Sequence, residues 1–293
     1  MPAGGEPIAV TGATGQIGGR VAARLAERDV GQRLVVRDAS RAPRLPGAEV
    51  AQATYADGQA MREALAGAGT LFMVSGSEAR DRVRDHVSAI DAAAAAGVRR
   101  IVYLSFMSAA PDATFTFARD HNATEEHIRA SGLAYTFLRS CMYAEYVPVF
   151  TGPDGVIRGP AGRGRVAWVA RDDIADVAAA VLLAGGERYE AQALEMTGPE
   201  ALTMAESAQV LARVAGRAVV YEEETLEQAR TSRRESGAPD WEIEGWVTSY
   251  AAIAAGELDA MTDTVATVTG HPPRSMADVL REHPDSHRHL TGG

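Results

Sequence analysis

The sequence predicts an α/β protein with a doubly wound parallel sheet and a smaller C-terminal α/β lobe on the substrate side. Short apolar segments alternate with segments in which apolar residues recur at helical spacing, a pattern typical of parallel strands joined by helices. Three glycines at three-residue spacing, Gly12, Gly15 and Gly18, stand between the first apolar segment and the first helical one. These observations indicate a Rossmann domain over residues 1–150 and a smaller lobe over residues 151–293, interleaved with it.

The glycine segment belongs to the first strand–turn–helix unit of the chain. Residues 8–10 form a short apolar run, and apolar residues at positions 17, 21 and 25 follow at helical spacing. A dinucleotide pyrophosphate binds backbone N–H groups at a helix N-terminus, and a Cβ on the turn would hold it away. We therefore expect cofactor contacts at Gly12, Thr14, Gly15, Gln16 and Ile17. A glycine-rich turn without a ligand is the alternative.

The second apolar strand, residues 34–36, ends at Arg37. An acidic residue at this place would bind the hydroxyls of the adenosine ribose, whereas an arginine suits a 2′-phosphate. The sequence therefore predicts NADP(H), with NADPH preferred over NADH. An ordinary surface cation is the alternative for Arg37.

Further strands are predicted over residues 49–53, 71–74, 101–104 and 135–138. Helices are predicted between them over residues 57–65, 78–96 and 117–130. The carboxyl ends of parallel strands lie along one edge of the sheet, and ligands bind outside that edge. We therefore expect further cofactor contacts after these strands, at Asp57, Val74, Ser75, Gly76 and Ser105.

Beyond about residue 148 the pattern changes, because glycine and proline break the chain into loops and short strands. Helices are predicted from residue 172, from the capping box Thr203–Glu206, over residues 225–236 and 239–255, and from about residue 275. The tail from residue 284 is expected to be frayed. We expect this second half to shape the substrate pocket.

The composition excludes several classes of function. A net charge of −10 argues against binding to nucleic acid or to an anionic membrane, since both require a basic face. All 29 basic residues are arginine, so lysine chemistry is excluded, including a Walker phosphate loop and the Tyr-x-x-x-Lys pair of ordinary short-chain dehydrogenases. The pattern leaves a small molecule as the expected partner.

The sequence also bears on location and assembly. No apolar run approaches the roughly 20 residues that span a bilayer, and the N-terminus lacks the basic region and apolar core of an export signal. The single cysteine, Cys141, cannot form an internal disulfide. We expect a cytoplasmic protein without a membrane segment, with a homodimer as the common default. His287 and His289 lack carboxylate company, so no metal site is predicted.

Four stretches resemble one family. Thr11-Gly-Ala-Thr-Gly-Gln-Ile-Gly18, Arg37, His121-Asn-Ala-Thr-Glu125 and Ser131-Gly-Leu-Ala-Tyr-Thr-Phe-Leu-Arg139 are similar to the NmrA-like, atypical branch of the short-chain dehydrogenase superfamily. Within it, the chain is most similar to the NADPH:quinone oxidoreductase and triphenylmethane reductase type. The resemblance implies NADP(H) in a cleft and reduction of quinones or cationic aromatic dyes. It equally implies an alternative, a regulator that senses NADP(H) without turning it over.

The catalytic candidates are His121, Ser105 and Tyr143. Where a standard short-chain enzyme has Tyr-x-x-x-Lys, this chain has Phe117-Ala-Arg-Asp-His121. Isoflavone-reductase relatives carry a lysine near the position of His121, which makes His121 the candidate substitute, with Glu125 one turn on to orient its ring. Ser105 is expected to hydrogen-bond nicotinamide or substrate, and Tyr143 to line the nicotinamide site. A plain structural role is the alternative for each.

The missing acid–base pair also bears on the substrate. A quinone leaves as a hydroquinone anion that water can protonate, so it needs no protein acid, whereas an unactivated ketone would lose a factor of about 10² to 10⁴. We therefore expect an NADPH-dependent reductase of a quinone-like or other conjugated aromatic molecule. A third possibility is a tailoring reductase or isomerase of a secondary metabolite, which no separate feature of the sequence indicates.

Overall fold

The computed structural model describes residues 5–291, and its centre is a seven-stranded sheet. The strands are β1 Ile8–Thr11, β2 Gln32–Val36, β3 Ala48–Gln52, β4 Thr70–Val74, β5 Arg100–Phe106, β6 Ala134–Ser140, β7 Val156–Gly159, β8 Arg165–Val166, β9 Gln192–Met196, β10 Leu202–Thr203 and β11 Val220–Glu223. The helices are α1 Gln16–Ala26, α2 Gly58–Leu65, α3 Arg82–Ala95, α4 Thr116–Ala130, α5 Arg171–Leu183, α6 Met204–Ala215, α7 Leu226–Arg234, α8 Asp240–Ala254, α9 Thr264–Thr269, α10 Met276–Glu282 and α11 Arg288–Thr291.

The order of the central sheet is β3-β2-β1-β4-β5-β6-β9. Strand β1 pairs in parallel with both β2 and β4, and the pairs β2–β3 and β4–β5 are also parallel. The predicted α/β fold with a doubly wound parallel sheet is confirmed. The strand order reverses between β1 and β4, so this is the topological switch point, outside whose carboxyl ends ligands bind in such sheets.

The core of the sheet is apolar on both faces, as expected when helices cover a parallel sheet. Leu71, Phe72 and Met73 of β4 are successive residues and all are fully buried. Met61 of α2 and Ile90 of α3 belong to one buried cluster with residues of the sheet. Burial of each such side chain contributes about 1.5–3 kcal/mol. This packing sets where the carboxyl ends of the strands lie.

The chain forms two compact units, each built from several segments. Unit one comprises the chain up to Phe106 together with Asp120–Arg139 and Ile174–Leu194. Unit two comprises Met107–Arg119, Ser140–Asp173 and the chain from Glu195 onward. Strands β1 to β5 therefore lie wholly in unit one. The boundary predicted near residue 150 falls within a segment of unit two.

Unit two contains two small sheets, an antiparallel pair of β8 with β10 and a parallel pair of β7 with β11. The predicted capping box is present: Thr203 accepts from the N–H of Glu206, and Glu206 accepts from the N–H of Thr203. No described helix has the length and apolar character needed to cross a membrane.

The expectation of a frayed tail is wrong for the part that the structure describes. Residues Pro284–His287 form a 3₁₀ turn and Arg288–Thr291 a short helix, while residues 292 and 293 lie outside the described range. His287 and Leu290 are buried, and Arg217 donates a hydrogen bond to the carbonyl of Leu290. Burial of these side chains holds a segment whose polar composition suggested a loose end.

Candidate functional site

Gly12 and Gly18 of the first turn each have a steric reason to be glycine. Gly12 has a φ of +65°, a region that L side chains rarely adopt. Its carbonyl accepts a hydrogen bond from the N–H of Gly15 at 2.8 Å. A Cβ at Gly18 would lie 2.3 Å from the oxygen of Gly12 and 2.7 Å from that of Thr11. Glycine at position 18 therefore lets α1 approach the end of β1.

The N-terminus of α1 has no side-chain cap from the described residues. Its N-cap is Gly15, in an extended conformation, and Gln16 directs its side-chain oxygen to Arg20 of the same helix at 2.8 Å. Thr14, Gly15 and Gln16 are exposed. The first N–H groups of a helix without a cap form an anion-binding site, to which the helix dipole adds. This geometry fits the predicted pyrophosphate contact.

The carboxyl ends of β1 and β4 are joined by hydrogen bonds. The hydroxyl of Thr11 accepts from the N–H of Val74 at 2.9 Å and donates to the carbonyl of Phe72 at 3.2 Å. The phenol oxygen of Tyr55 lies 2.6 Å from both Thr11 Oγ1 and the carbonyl oxygen of Val74. Burial raises the pKa of Tyr55, so the phenol keeps its proton. Hydrogen bonds therefore connect the carboxyl ends of β1 and β4 at the switch point.

A histidine on α3 also holds the loop after β4. The N–H of Gly76 donates to Nε2 of His86 on α3 at 2.9 Å, and Nδ1 of His86 lies 2.9 Å from the hydroxyl of Thr124 on α4. Burial, with a smaller effect of the Arg82 charge, lowers the pKa of His86 to about 3. His86 is therefore a neutral acceptor at ordinary pH.

The side chain of Ser105 lies next to a buried carboxylate. Its hydroxyl donates to Glu125 at 2.6 Å, and Glu125 is fully buried. Arg139 contacts both carboxylate oxygens of Glu125, at 2.9 and 2.6 Å, and Arg129 contacts one at 3.0 Å. The hydroxyl proton of Ser105 is thus committed to Glu125, so Ser105 cannot donate a hydrogen bond to a ligand.

His121 is buried, and both nitrogens of its ring have partners. An amino group of Arg82 lies 3.1 Å from Nε2, and the phenol oxygen of Tyr103 lies 3.0 Å from Nδ1. Arginine only donates, so Nε2 accepts and the proton of the neutral ring is on Nδ1. Burial, and then the charge of Arg82, lowers the pKa of His121 well below its usual value. The expectation that Glu125 orients this ring is wrong, since Tyr103 and Arg82 do so.

Arg37 and two acidic residues, Asp38 and Asp57, have different hydrogen-bond partners. Arg37 is exposed at the end of β2, and its carbonyl accepts from the side-chain amide of Gln52 at 3.1 Å. The neighbouring acid, Asp38, accepts from the N–H of Ser40 at 2.9 Å and from its hydroxyl at 2.6 Å. Asp57 caps α2 by accepting from the N–H of Ala60 at 3.0 Å. The cofactor contacts predicted at Arg37 and Asp57 stay predictions.

Tyr143 lies in unit two, in a group of stacked aromatic side chains. Its ring stacks on Tyr146 with centroids 5.5 Å apart, and the guanidinium of Arg171 lies 5.3 Å from its centroid. Burial raises the pKa of Tyr143 to about 12. Of the other aromatic residues in this unit, Trp241 contacts Phe117, with ring centroids 6.0 Å apart, which is helix packing. The catalytic roles proposed for Tyr143, Ser105 and His121 stay predictions.

The sequence analysis missed Tyr55, His86 and Arg82. His86 and Arg82 lie in a predicted helix and read as ordinary polar positions, yet His86 stands one turn from Val83 and from Ile90, on the apolar stripe. A histidine on that stripe was the available signal. Tyr55 follows the third strand, and nothing in its neighbourhood along the chain indicates a contact with β4.

Comparison with known proteins places these features in context. The model of the NmrA-like family matches residues 5–235. An NAD(P)H azoreductase of Xenophilus azovorans is 33% identical over 281 residues, 94% of this chain and 97% of that protein. An NADPH-dependent quinone oxidoreductase of Escherichia coli, solved with NADPH, is 31% identical with a TM-score of 0.85, over 94% of this chain and 99% of that one. Triphenylmethane reductase of Citrobacter sp., solved with NADP(H), is 30% identical with a TM-score of 0.81, over 93% and 98%.

Proposed function

Because the chain belongs to the NmrA-like family, we propose that it is an NADPH-dependent oxidoreductase that transfers a hydride to a quinone-like or other conjugated aromatic molecule. The NAD(P)H-dependent relatives, which span nearly the whole chain, support the reductase activity. The preference for NADPH and the class of substrate rest on the residues of this chain. A homodimer stays an expectation.

The first turn fits a dinucleotide. The close approach at Gly18 and the positive φ of Gly12 create a turn without side chains, and the N-terminus of α1 presents N–H groups that lack a cap from the described residues. The segment from Gly12 to Gln16 would hold the pyrophosphate. When bound, NADPH supplies the hydride from its nicotinamide ring.

Arg37 supports NADPH over NADH. In a Rossmann domain the end of the second strand faces the adenosine ribose. The acid that could bind ribose hydroxyls there, Asp38, is engaged with Ser40, whereas Arg37 is exposed beside it. An exposed guanidinium at this place suits a 2′-phosphate, with which it can form bidentate hydrogen bonds.

The side chains at the end of β5 support a substrate that needs no protein acid. Ser105 donates its proton to Glu125, and the Nδ1 proton of His121 points to the phenol of Tyr103. His121 is neutral, so it holds no imidazolium proton to give. These groups position one another and exclude water, but they do not protonate a substrate oxygen. A quinone or an azo compound can take its proton from water after hydride transfer, and a cationic dye needs no proton because the hydride itself neutralises its charge.

The single observation that carries the proposal is the open turn at α1, together with the hydrogen bonds that commit the protons of Ser105 and His121 within the protein. The test is steady-state oxidation of NADPH and NADH with neutral quinones, an azo dye and a triphenylmethane dye, with an unactivated ketone as the control acceptor. We expect turnover with at least one conjugated acceptor, tighter binding of NADPH than of NADH, and no turnover of the ketone.

Other outcomes of this test have definite meanings. Saturable NADPH binding without turnover of any conjugated acceptor would favour the regulator that senses NADP(H). Efficient reduction of the ketone would contradict the argument from Ser105 and His121. Absence of NADPH binding would remove the proposed function altogether.

A further inference from the structure

We propose that Tyr55 and His86 are positioning residues that hold the segment Val74–Gly76 in the conformation that receives the dinucleotide. We call this pair the loop anchor. The inference rests on the proposed function, because it assigns the loop anchor a role in binding the cofactor. Neither residue is expected to touch the reacting atoms.

The place of the loop anchor in the sheet is the first argument. Val74 ends β4, the strand next to β1, and the strand order reverses between these two strands. A ligand of a doubly wound sheet binds outside the carboxyl ends at this reversal. The hydroxyl of Thr11 already joins the two ends through the N–H of Val74. The loop after β4 therefore forms one wall of the crevice in which we expect the cofactor to bind.

Two hydrogen bonds hold the loop on either side of Ser75. Tyr55 approaches the carbonyl oxygen of Val74 at 2.6 Å, and His86 accepts from the N–H of Gly76 at 2.9 Å. The rings of Tyr55 and His86 meet edge to face, with centroids 5.7 Å apart. A Cβ at position 76 would lie tightly against His86, 3.3 Å from its Nε2, and in ordinary contact with Tyr55, 3.7 Å from a ring carbon.

This arrangement selects which polar groups of the loop can bind a ligand. Both the N–H and the carbonyl of Val74 and the N–H of Gly76 are used within the protein. The structure shows no hydrogen bond from Ser75 to any of residues 5–291. Ser75 thus becomes the expected polar contact of this loop with the cofactor, in preference to the N–H of Gly76.

His86 is itself held in one tautomer. A backbone N–H can only donate, so Nε2 accepts from Gly76, and the proton of the neutral ring lies on Nδ1, directed to Thr124. Thr124 is fully buried and donates to the carbonyl of Asp120 at 2.8 Å. Both α3 and α4 therefore fix the ring. A buried acceptor with one orientation sets the position of Gly76 more tightly than water would.

The test compares three variants with the unchanged protein. His86→Phe keeps an aromatic ring but removes the acceptor, whereas His86→Gln keeps an acceptor at similar reach. Thr136→Val is the control, because Thr136 is a fully buried side chain that donates to a backbone carbonyl, that of Tyr189, but does so near the start of β6. The measurements are the Kd for NADPH, the Tm, and deuterium exchange at the amide of Gly76 without cofactor.

We expect His86→Phe to weaken NADPH binding about tenfold, as the loss of one ordering hydrogen bond does. Exchange at Gly76 should become faster in this variant. His86→Gln should restore the Kd to within about threefold, and Thr136→Val should lower the Tm while leaving the Kd unchanged.

Three results would overturn the inference, and they are distinguishable. If His86→Phe lowers the Tm but leaves the Kd unchanged, His86 is only structural. If exchange at Gly76 is the same in His86→Phe, the loop anchor does not hold the loop. If the unchanged protein does not bind NADPH, the proposed function fails, and so does the role of the loop anchor in cofactor binding. The exchange measurement would still report whether the loop anchor holds the loop.

Discussion

Two neighbouring regions of unit one use polar groups in opposite ways. At the end of β1, the polar groups are backbone N–H groups of a glycine turn, and the helix that follows has no side-chain cap from the described residues. At the end of β5, the polar groups are side chains, and Ser105, His121 and Glu125 are all bonded within the protein. The first region is open to a ligand, and the second is closed.

The difference teaches that chemically reactive residue types do not by themselves mark a site. Buried polar side chains must form hydrogen bonds, because an unpaired one costs about 1–3 kcal/mol. Once Ser105 and His121 have met that requirement inside the protein, their protons are not available to a substrate. A glycine turn carries no reactive group, yet it leaves donors where an anion can reach them.

The largest effect should come from Glu125 in the closed region. Glu125→Gln removes a fully buried charge that Arg139 and Arg129 share, so each guanidinium group loses its ion pair with that buried carboxylate. We expect the free energy of unfolding to fall by about 3 kcal/mol, measured by chemical denaturation. The control is Glu126→Gln, which breaks an exposed ion pair with Arg129 and should cost no more than about 0.5 kcal/mol. Equal losses would mean that the β5 region is not closed.

A single added methyl group should disrupt the open region, which is the glycine turn between β1 and α1. Gly18→Ala places a Cβ within 2.3 Å of the carbonyl oxygen of Gly12, so α1 must move away from β1. We expect about 2 kcal/mol of lost stability and at least tenfold weaker NADPH binding, measured by denaturation and by titration. Gly31→Ala meets nothing within 4 Å and serves as the control. Unchanged NADPH binding in Gly18→Ala would contradict the role of the turn.

Arg37 sharpens the comparison, since it tests whether an exposed charge belongs to the open region. Arg37→Ala should weaken NADPH binding about tenfold, which corresponds to about 1.4 kcal/mol, and leave NADH binding unchanged. Removing the exposed Arg28, which follows α1, is the matched control and should change neither Kd. A parallel loss of NADH affinity would place Arg37 away from the 2′-phosphate.

The smallest effect should be a pH dependence that comes from buried histidines. The pKa of His86 is about 3 in the folded protein and about 6.5 when unfolded, so the unfolded chain binds more protons between these values. Stability from this group is full above about pH 6.5 and is lost as the pH falls towards 3. Arg82, Tyr55, Tyr103 and His121 are ionisable neighbours of the His86 ring, and both tyrosines stay neutral in this range.

The measurement is the free energy of unfolding at pH 7 and pH 5.5. His86 should contribute a loss of about 1 kcal/mol over this interval, and His86→Gln should remove that part of the slope. His121, whose pKa is also lowered, should leave a residual slope of the same sign in the variant. Identical slopes in the two proteins would show that His86 is not the buried neutral acceptor described above.

The strands and helices that position the site were predictable from local patterns. The apolar runs of β1 and β4 and the helical spacing in α1 and α3 are encoded within segments of a few residues. The turn at Gly12 was predictable for the same reason, because its glycines and the helix that follows are adjacent in the chain. The tail after residue 284 was not predicted correctly, since the burial of Leu290 depends on residues far from it in the sequence.

The sequence by itself determined the α/β architecture, the place of the glycine turn and the absence of lysine side chains from this chain. Only the tertiary structure decided what the polar side chains do. His121 meets Arg82 across 39 residues, Ser105 meets Glu125 across 20, and Val74 meets Tyr55 across 19. Spacing along the chain encodes secondary structure, because neighbouring residues share a helix or strand. The partner of a buried hydrogen-bonding group is set by which elements the sheet brings together, and no local pattern carries that information.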